Sequence, residues 1–263
     1  MKIISIAFFL LSANFIGYAQ LNDSPWKHKK CAVVLTYDDA IPQQLYHAIP
    51  VLDSLQLKAT FYLTAFAVKN RINDWRLVAE KGHELGNHTL FHPCIGGIGR
   101  EWLNPDYNLN AYTASRLMDE IRMTNVFLEA LDGKTKRTFA YTCGDTKVKD
   151  SSFVQLLKND FVAARAVRNQ LVHIDEADLY NIACYVVNGE TAAQMEEWVR
   201  QAMEKKALLV ILFHGVGGGN GLDVSISEHS KFLHFLKKRQ DEIWIAPMID
   251  VAEYINSILY QKK

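Results

Sequence analysis

Short apolar runs alternate with amphipathic stretches along this chain, and that alternation leaves few folds open. The runs cover 31–36, 59–63, 138–141, 161–167, 182–187, 208–213 and 243–246. The amphipathic stretches lie near 41–56, 73–82, 111–131, 150–159, 191–206, 226–239 and 249–260. Strands and helices in strict alternation make a largely parallel sheet covered by outer helices. No Pro/Gly/Ser-rich linker interrupts the rounds and no internal repeat is visible, so a single domain over 25–260 is expected. The 263 residues are 49% hydrophobic, enough to bury a full core, and about 240 residues suits an α/β barrel.

Lys plus Arg and Asp plus Glu number 29 each, so the formal charge is zero. A nucleic-acid partner favours a basic surface, and none is expected. Residues 1–19 read as a secretory signal: Lys2 supplies charge, Ile3 to Leu11 is apolar, and Gly17-Tyr18-Ala19 offers a small-x-small cleavage site. The apolar run is short for a membrane span. The expectation is export to the periplasm or the extracellular space without stable membrane insertion; the alternative is an uncleaved anchor. Export permits disulfides. Cys31, Cys94, Cys143 and Cys184 allow three full pairings, and sequence does not choose among them. Cys31 and Cys184 fall in apolar runs and read as buried thiols. The lack of a CxxC pair argues against a structural zinc knuckle.

The segment His88-Thr89-Leu90-Phe91-His92-Pro93 carries the chemistry. Residues four apart share a face of a helical turn, and Pro93 disfavours helix at His92, so a single turn ending at His92 within a loop is expected. Asp38 and Asp39 end the first apolar run, at the strand end where ligands bind in parallel α/β folds. Two histidines and one carboxylate form a zinc set that leaves a position open for water, which points to hydrolysis. One aspartate would bind metal while its neighbour takes a proton. The competing readings are that Asp39 caps a helix beginning near Pro42 and that the histidines bond backbone.

His214 follows 208–213 and opens Gly215-Val216-Gly217-Gly218-Gly219. Its near-neutral pKa suits a general acid; the alternative is a loop histidine without a role. No GxxxxGK[ST] phosphate loop and no G-x-S-x-G elbow is present. Residues 82–87 read as a short strand and turn that deliver His88, with His83 structural at its far end. The irregular stretch 94–110 holds Trp102 and Tyr107 and reads as an ordered, ligand-facing loop.

Taken together, Thr36-Tyr37-Asp38-Asp39-Ala40, His88-Thr89-Leu90-Phe91-His92-Pro93 and Ile211-Leu212-Phe213-His214 resemble, in order and separation, the T-F-D-D-G, H-[ST]-x-x-H-P and L-x-x-H segments of the polysaccharide deacetylase family, carbohydrate esterase family 4. The likeness runs from about residue 31 to 256. It implies a distorted (β/α)7 barrel. It implies Asp39, His88 and His92 as ligands of a divalent metal, most often zinc, with cobalt or nickel also suited to imidazole. It implies Asp38 as general base and His214 as general acid.

Two departures stand out. Ala40 replaces a glycine. The family's R-x-P-[YF]-G segment falls on Ala140-Tyr141-Thr142-Cys143-Gly144, where only the glycine survives. Arg165 on the neighbouring strand is then the candidate partner for Asp38, ahead of Arg137. A backbone N–H near Cys143 is the candidate oxyanion donor. Trp102, Tyr107 and Tyr141 are candidates to stack on sugars, or simply to pack. The implied activity is metal-dependent removal of acetyl groups from an acetylated polysaccharide or oligosaccharide, as the N-acetyl amide of an amino sugar. The alternatives are an acetylxylan-type O-acetyl esterase and a carbohydrate-binding relic of the fold. Oligomeric state is not legible.

Overall fold

The computed structural model describes residues 24–261, so the expected signal segment 1–19 lies outside the described residues. Eight parallel strands form one sheet: β1 (Cys31–Asp38), β2 (Thr60–Leu63), β3 (Glu84–Asn87), β4 (Thr138–Ala140), β5 (Ala163–Arg165), β6 (Tyr185–Val186), β7 (Leu208–Phe213) and β8 (Ile243–Ile245). Around them lie helices α1 (Ile49–Ser54), α2 (Ala65–Val68), α3 (Ile72–Glu80), α4 (Ala114–Asp132), α5 (Ala192–Glu204), α6 (Ile226–Lys238) and α7 (Met248–Gln261). Among the described residues no helix is long and apolar enough to cross a membrane.

The strands run in the order β5-β4-β3-β2-β1-β7-β6. The two ends meet through Ile182, whose N–H donates to the Ala164 carbonyl at 3.0 Å and whose carbonyl accepts from Ala166 N–H at 2.8 Å, just before β6 pairs with β7. This is the distorted (β/α)7 barrel read from the sequence. β8 pairs with Cys31–Val33 of β1, while β2 pairs with Thr36–Asp38, so β8 is wedged below β2 on one edge of β1. Six of the seven apolar runs form ring strands and the run at 243–246 forms the wedge. The seventh ring strand is β3, which the sequence marks only as a short strand.

Alternation along β1 sorts the interior. Val33, Leu35 and Tyr37 pack outward with Leu52, Val199 and Phe232 of the helical layer. Ala32 and Val34 pack inward with Val210 and Leu212, above Val251, Ala252 and Ile255 of α7. Successive residues of a strand face opposite sides, so Thr36 and Asp38 continue the inward set. The same rule explains the polar strand β3. Glu84 points in, where it accepts from Thr60 and Thr138 hydroxyls and from Ile249 N–H. Gly86 leaves room for the Tyr62 ring; a Cβ there would lie 2.4 Å from a ring carbon.

The outer layer holds a buried histidine. His229 Nε2 shares a 2.7 Å hydrogen bond with the Tyr37 hydroxyl, and burial pushes its pKa down to about 3 from 6.5. Its folded pKa is depressed, so between those values the unfolded chain binds the extra proton. Stability is therefore lost as pH falls through that window, by at most about 1.4 kcal/mol per pH unit from this residue. We expect the melting temperature of His229→Phe to fall less than wild type between pH 7 and pH 5. An identical fall in both proteins would remove His229 as a source of acid lability.

Candidate metal centre

The carboxyl ends of β1, β3, β5 and β7 surround a cleft of about 790 Å³, within the range of small-ligand sites. Asp38, Asp39, His88, His92 and His214 line it, with Arg100, Trp102, Tyr141, Cys143 and Asn220 among the wall residues.

Asp39 follows Asp38 out of β1 with φ of 77°, and Ala40 has φ of 57°. Two left-handed residues in succession reverse the chain and turn the Asp39 carboxylate back over the barrel mouth. Asp39 Oδ1 lies 3.4 Å from His88 Nε2 and 3.3 Å from His92 Nε2. His88 Nδ1 donates to the Ala140 carbonyl at 2.9 Å, which leaves the Nε2 lone pair facing the aspartate. His92 comes from a loop rather than the helical turn the spacing suggests. Thr89 and His92 both have positive φ, and Thr89 Oγ1 accepts from His92 N–H at 3.0 Å. The rings still meet, with centroids 4.9 Å apart.

These three side chains fit a divalent cation. Their donor atoms all lie within 4.8 Å of one another. Tetrahedral zinc with bonds near 2.1 Å spaces its ligands by about 3.4 Å, the spacing found between the carboxylate and each imidazole. Asp39 Oδ1 is buried and has no hydrogen-bond partner among the described residues, so it is an acceptor still to be satisfied. Burial opposes the charge of Asp39, but the adjacent imidazoles of His88, His92 and His214 outweigh it and hold the carboxyl well below the usual range. His92 is pushed down to about 4 by burial and by His88, which favours the neutral form that binds metal. A second grouping, His92, Cys94 and Cys143, does not offer thiolates because Cys94 and Cys143 form a disulfide. Cys31 and Cys184 are buried free thiols.

Asp38 lies beside this cluster with its side chain 3% exposed. Arg165 Nη2 donates to Asp38 Oδ2, and Asp38 Oδ1 is buried without a partner among the described residues. Arg165 reaches it because Ala163 and Arg165 take the inward positions of β5. Arg165 pairs in register with Ala140 of β4. The small Ala140 side chain thus gives up barrel space to an arginine one strand over. Burial alone would lower the Arg165 pKa; Asp38, Cys184 and Tyr62 reverse that and raise it. Arg137 is engaged elsewhere, with Asp132.

His214 stands one residue past the last paired positions of β1 and β7, Tyr37 and Phe213, and is thereby next to Asp38. Its Nδ1 is buried without a partner among the described residues. Burial lowers its pKa, partly offset by Asp38 and Asp39. Gln44, which sequence reading missed, staples the two strand ends. Its Nε2 donates to the Asp38 carbonyl at 2.6 Å and to the His214 carbonyl at 3.0 Å.

The wall residues divide. Trp102 is 62% exposed and lies 6.5 Å from the His92 ring between centroids. Tyr107 instead stacks on Phe91. Tyr141 is a correction to the stacking expectation: its ring is buried against Phe139 and Phe153, and its hydroxyl donates to the Tyr180 carbonyl. Its N–H is also committed, to the Arg165 carbonyl. An oxyanion donor in this segment therefore has to come from the turn at Thr142 and Cys143. That turn is fixed by the disulfide to Cys94 and by Arg100, which pairs with Asp145 and donates to the carbonyls of Ile95 and Cys143. The same links hold the 94–110 loop against the cleft.

Removing one partner of a buried ion pair strands the other charge, at a cost of about 3–5 kcal/mol. We expect Arg165→Ala to lower unfolding stability in denaturant by about that amount. A loss below about 1 kcal/mol would mean that the pair behaves as an exposed one.

The polysaccharide deacetylase family model matches residues 27–160. Over 87 residues the chain is 32% identical to a peptidoglycan-N-acetylglucosamine deacetylase of Bacillus cereus, a stretch covering 32% of this chain and 30% of that protein. Over 71 residues it is 34% identical to a chitooligosaccharide deacetylase of Sinorhizobium fredii, covering 26% and 33%. The matched stretches thus span about a third of those curated relatives. The crystal structure of a putative polysaccharide deacetylase from Mycobacterium smegmatis superposes with a TM-score of 0.66 at 14% identity, over 87% of this chain and 91% of that one, which shows a common fold. With more than half its length inside the family model and the same barrel beneath it, this chain belongs to the polysaccharide deacetylase family.

Proposed function

We propose that the chain is a metal-dependent hydrolase that removes acetyl groups from an amino-sugar glycan, with Asp39, His88 and His92 holding the cation. The observation that carries this reading is the convergence of those three donors beside an Arg165-clamped Asp38 at the barrel mouth. When bound, the cation supplies Lewis-acid polarisation of the acetyl carbonyl and a lowered pKa for water. Asp38 Oδ1, without another partner among the described residues, takes the proton from the attacking water, while Arg165 fixes Oδ2. The turn at Thr142 and Cys143 is the source of the backbone N–H donors to the developing oxyanion. His214 delivers a proton to the leaving nitrogen. An amine leaves poorly unless protonated, so an N-acetyl substrate depends on His214 more than an ester does.

Relatives named for deacetylation of chitooligosaccharide and of peptidoglycan N-acetylglucosamine support the N-acetyl amide over the ester of a hemicellulose. The intact donor cluster supports turnover over a binding relic. The Cys94–Cys143 disulfide supports an exported protein, because such bonds persist in oxidising compartments. Zinc is the first choice of cation, with cobalt and nickel suited to the same donors.

The test is acetate release from N-acetylated and O-acetylated glycans by metal-stripped protein, before and after zinc, cobalt or nickel is restored. We expect release only with metal, on the N-acetyl panel. Metal binding without release from any of these glycans would point to a different substrate, and failure both to hold metal and to release acetate would favour the binding relic. Asp39→Ala and His88→Ala should lose both metal and activity. Asp38→Asn should keep the metal, measured by elemental analysis, and lose turnover by about 10²-fold or more; full activity in that variant would remove Asp38 as the base.

A further inference from the structure

The glycine-rich segment after His214 has no part in the chemistry above, yet it is folded tightly against the site. Gly215–Val216 pairs with Asp223–Val224, and Asp223 Oδ1 accepts from Gly218 N–H at 2.9 Å. Gly217, Gly218 and Gly219 have φ of 70°, 106° and 93°. A Cβ on Gly219 would come within 2.5 Å of Ile41 Cγ2 and 2.4 Å of Gln43 Oε1. Three consecutive residues thus take backbone angles that glycine supplies cheaply, and the third also has no room for a side chain.

The product of this path is the placement of Asn220. Its Nδ2 donates to Asp39 Oδ2 at 3.2 Å, and its Oδ1 accepts from Leu222 N–H at 2.9 Å. The second bond settles the orientation of the amide, since only an oxygen accepts from an N–H. The two oxygens of Asp39 are thereby divided. Oδ1 faces His88 and His92 with no hydrogen bond, and Oδ2 is occupied by a neutral donor.

We propose that Asn220 is a positioning residue that restricts Asp39 to one ligating oxygen and holds that oxygen toward the two histidines, the glycine segment existing to present it. The proposal rests on the metal-centre reading above. Partners outside the ligand shell orient the ligands, and losing one typically costs about 10- to 100-fold in metal affinity. A neutral amide suits the role, because it fixes the carboxylate without cancelling the charge that draws a cation.

The test is cobalt(II) binding to the full chain, with affinity set by chelator competition and coordination read from the visible absorption of the bound ion. Wild type, Asn220→Ala and Gly219→Ala are compared, with melting of the metal-free proteins as the check on folding. Asn220→Ala should bind cobalt about 10- to 100-fold more weakly, with an altered visible spectrum as Oδ2 becomes free to ligate, and with little change in metal-free melting. Gly219→Ala displaces the loop that carries Asn220 without removing any side chain at the site; it should shift affinity and spectrum in the same direction. Unchanged affinity and spectrum in both variants, beside a wild type that binds cobalt, would overturn the Asn220 role and leave the metal centre standing. A wild type that binds no cobalt would overturn both.

Discussion

Strand β1 is bonded to β2, β7 and β8, and its two-residue alternation is the constraint on which the site depends. The odd positions Val33, Leu35 and Tyr37 are taken by the helical layer, so the even positions must fill the barrel. Ala32 and Val34 do so as apolar packing, Thr36 satisfies its hydroxyl on the Ile211 carbonyl, and Asp38 arrives last, an acid buried at the barrel mouth. A buried charge needs a partner, and Arg165 provides it from the inward face of β5. A slip of one residue in the register of β1 would turn Asp38 outward and a bulky side chain inward, so packing and chemistry are fixed together.

Arg165 supplies the guanidinium for Asp38 from the inward face of β5. Ala140 and Arg165 are register partners on adjacent strands, so a small residue at one inward position and a large cation at the other fill the same space as the reverse arrangement. The cost is that Arg165 is entirely buried. It is met by Asp38, by the Ala166 carbonyl and by the Tyr62 ring beneath the guanidinium.

Above the barrel, unusual backbone is concentrated where the chemistry lies. Ten non-glycine residues among those described have positive φ, and Asp39, Ala40, Thr89, His92 and Cys143 all surround the cleft. Left-handed backbone costs an L-residue roughly 1–2 kcal/mol, and it persists only where neighbouring structure holds it. Here the holding elements are the Gln44 bonds across β1 and β7, the Cys94–Cys143 bridge and the Arg100–Asp145 pair. The Ala40 position is a case in point. Its φ of 57° is one that the glycine usual to the family adopts without strain, and the chain keeps the conformation with alanine in place.

The sequence by itself determined the parallel barrel, because runs of β-branched and apolar residues alternating with amphipathic stretches bury well in few other ways. It also named the acids and histidines of the site, because Asp38, Asp39, His88, His92 and His214 stand at strand ends in a recognisable order. It passed lightly over β3, whose inward residues are Glu84 and Gly86 and whose signal is therefore polar. Pairing in space was left to the tertiary structure. Only the fold brought Cys94 to Cys143, seated Arg165 on Asp38, packed the Tyr141 ring against Phe139 and Phe153 and laid Asn220 on Asp39. The Cys94–Cys143, Arg165–Asp38 and Asn220–Asp39 contacts join residues 49, 127 and 181 positions apart, and barrel closure decides such distances, whereas local sequence pattern records only what lies within a turn of helix or a pleat of strand.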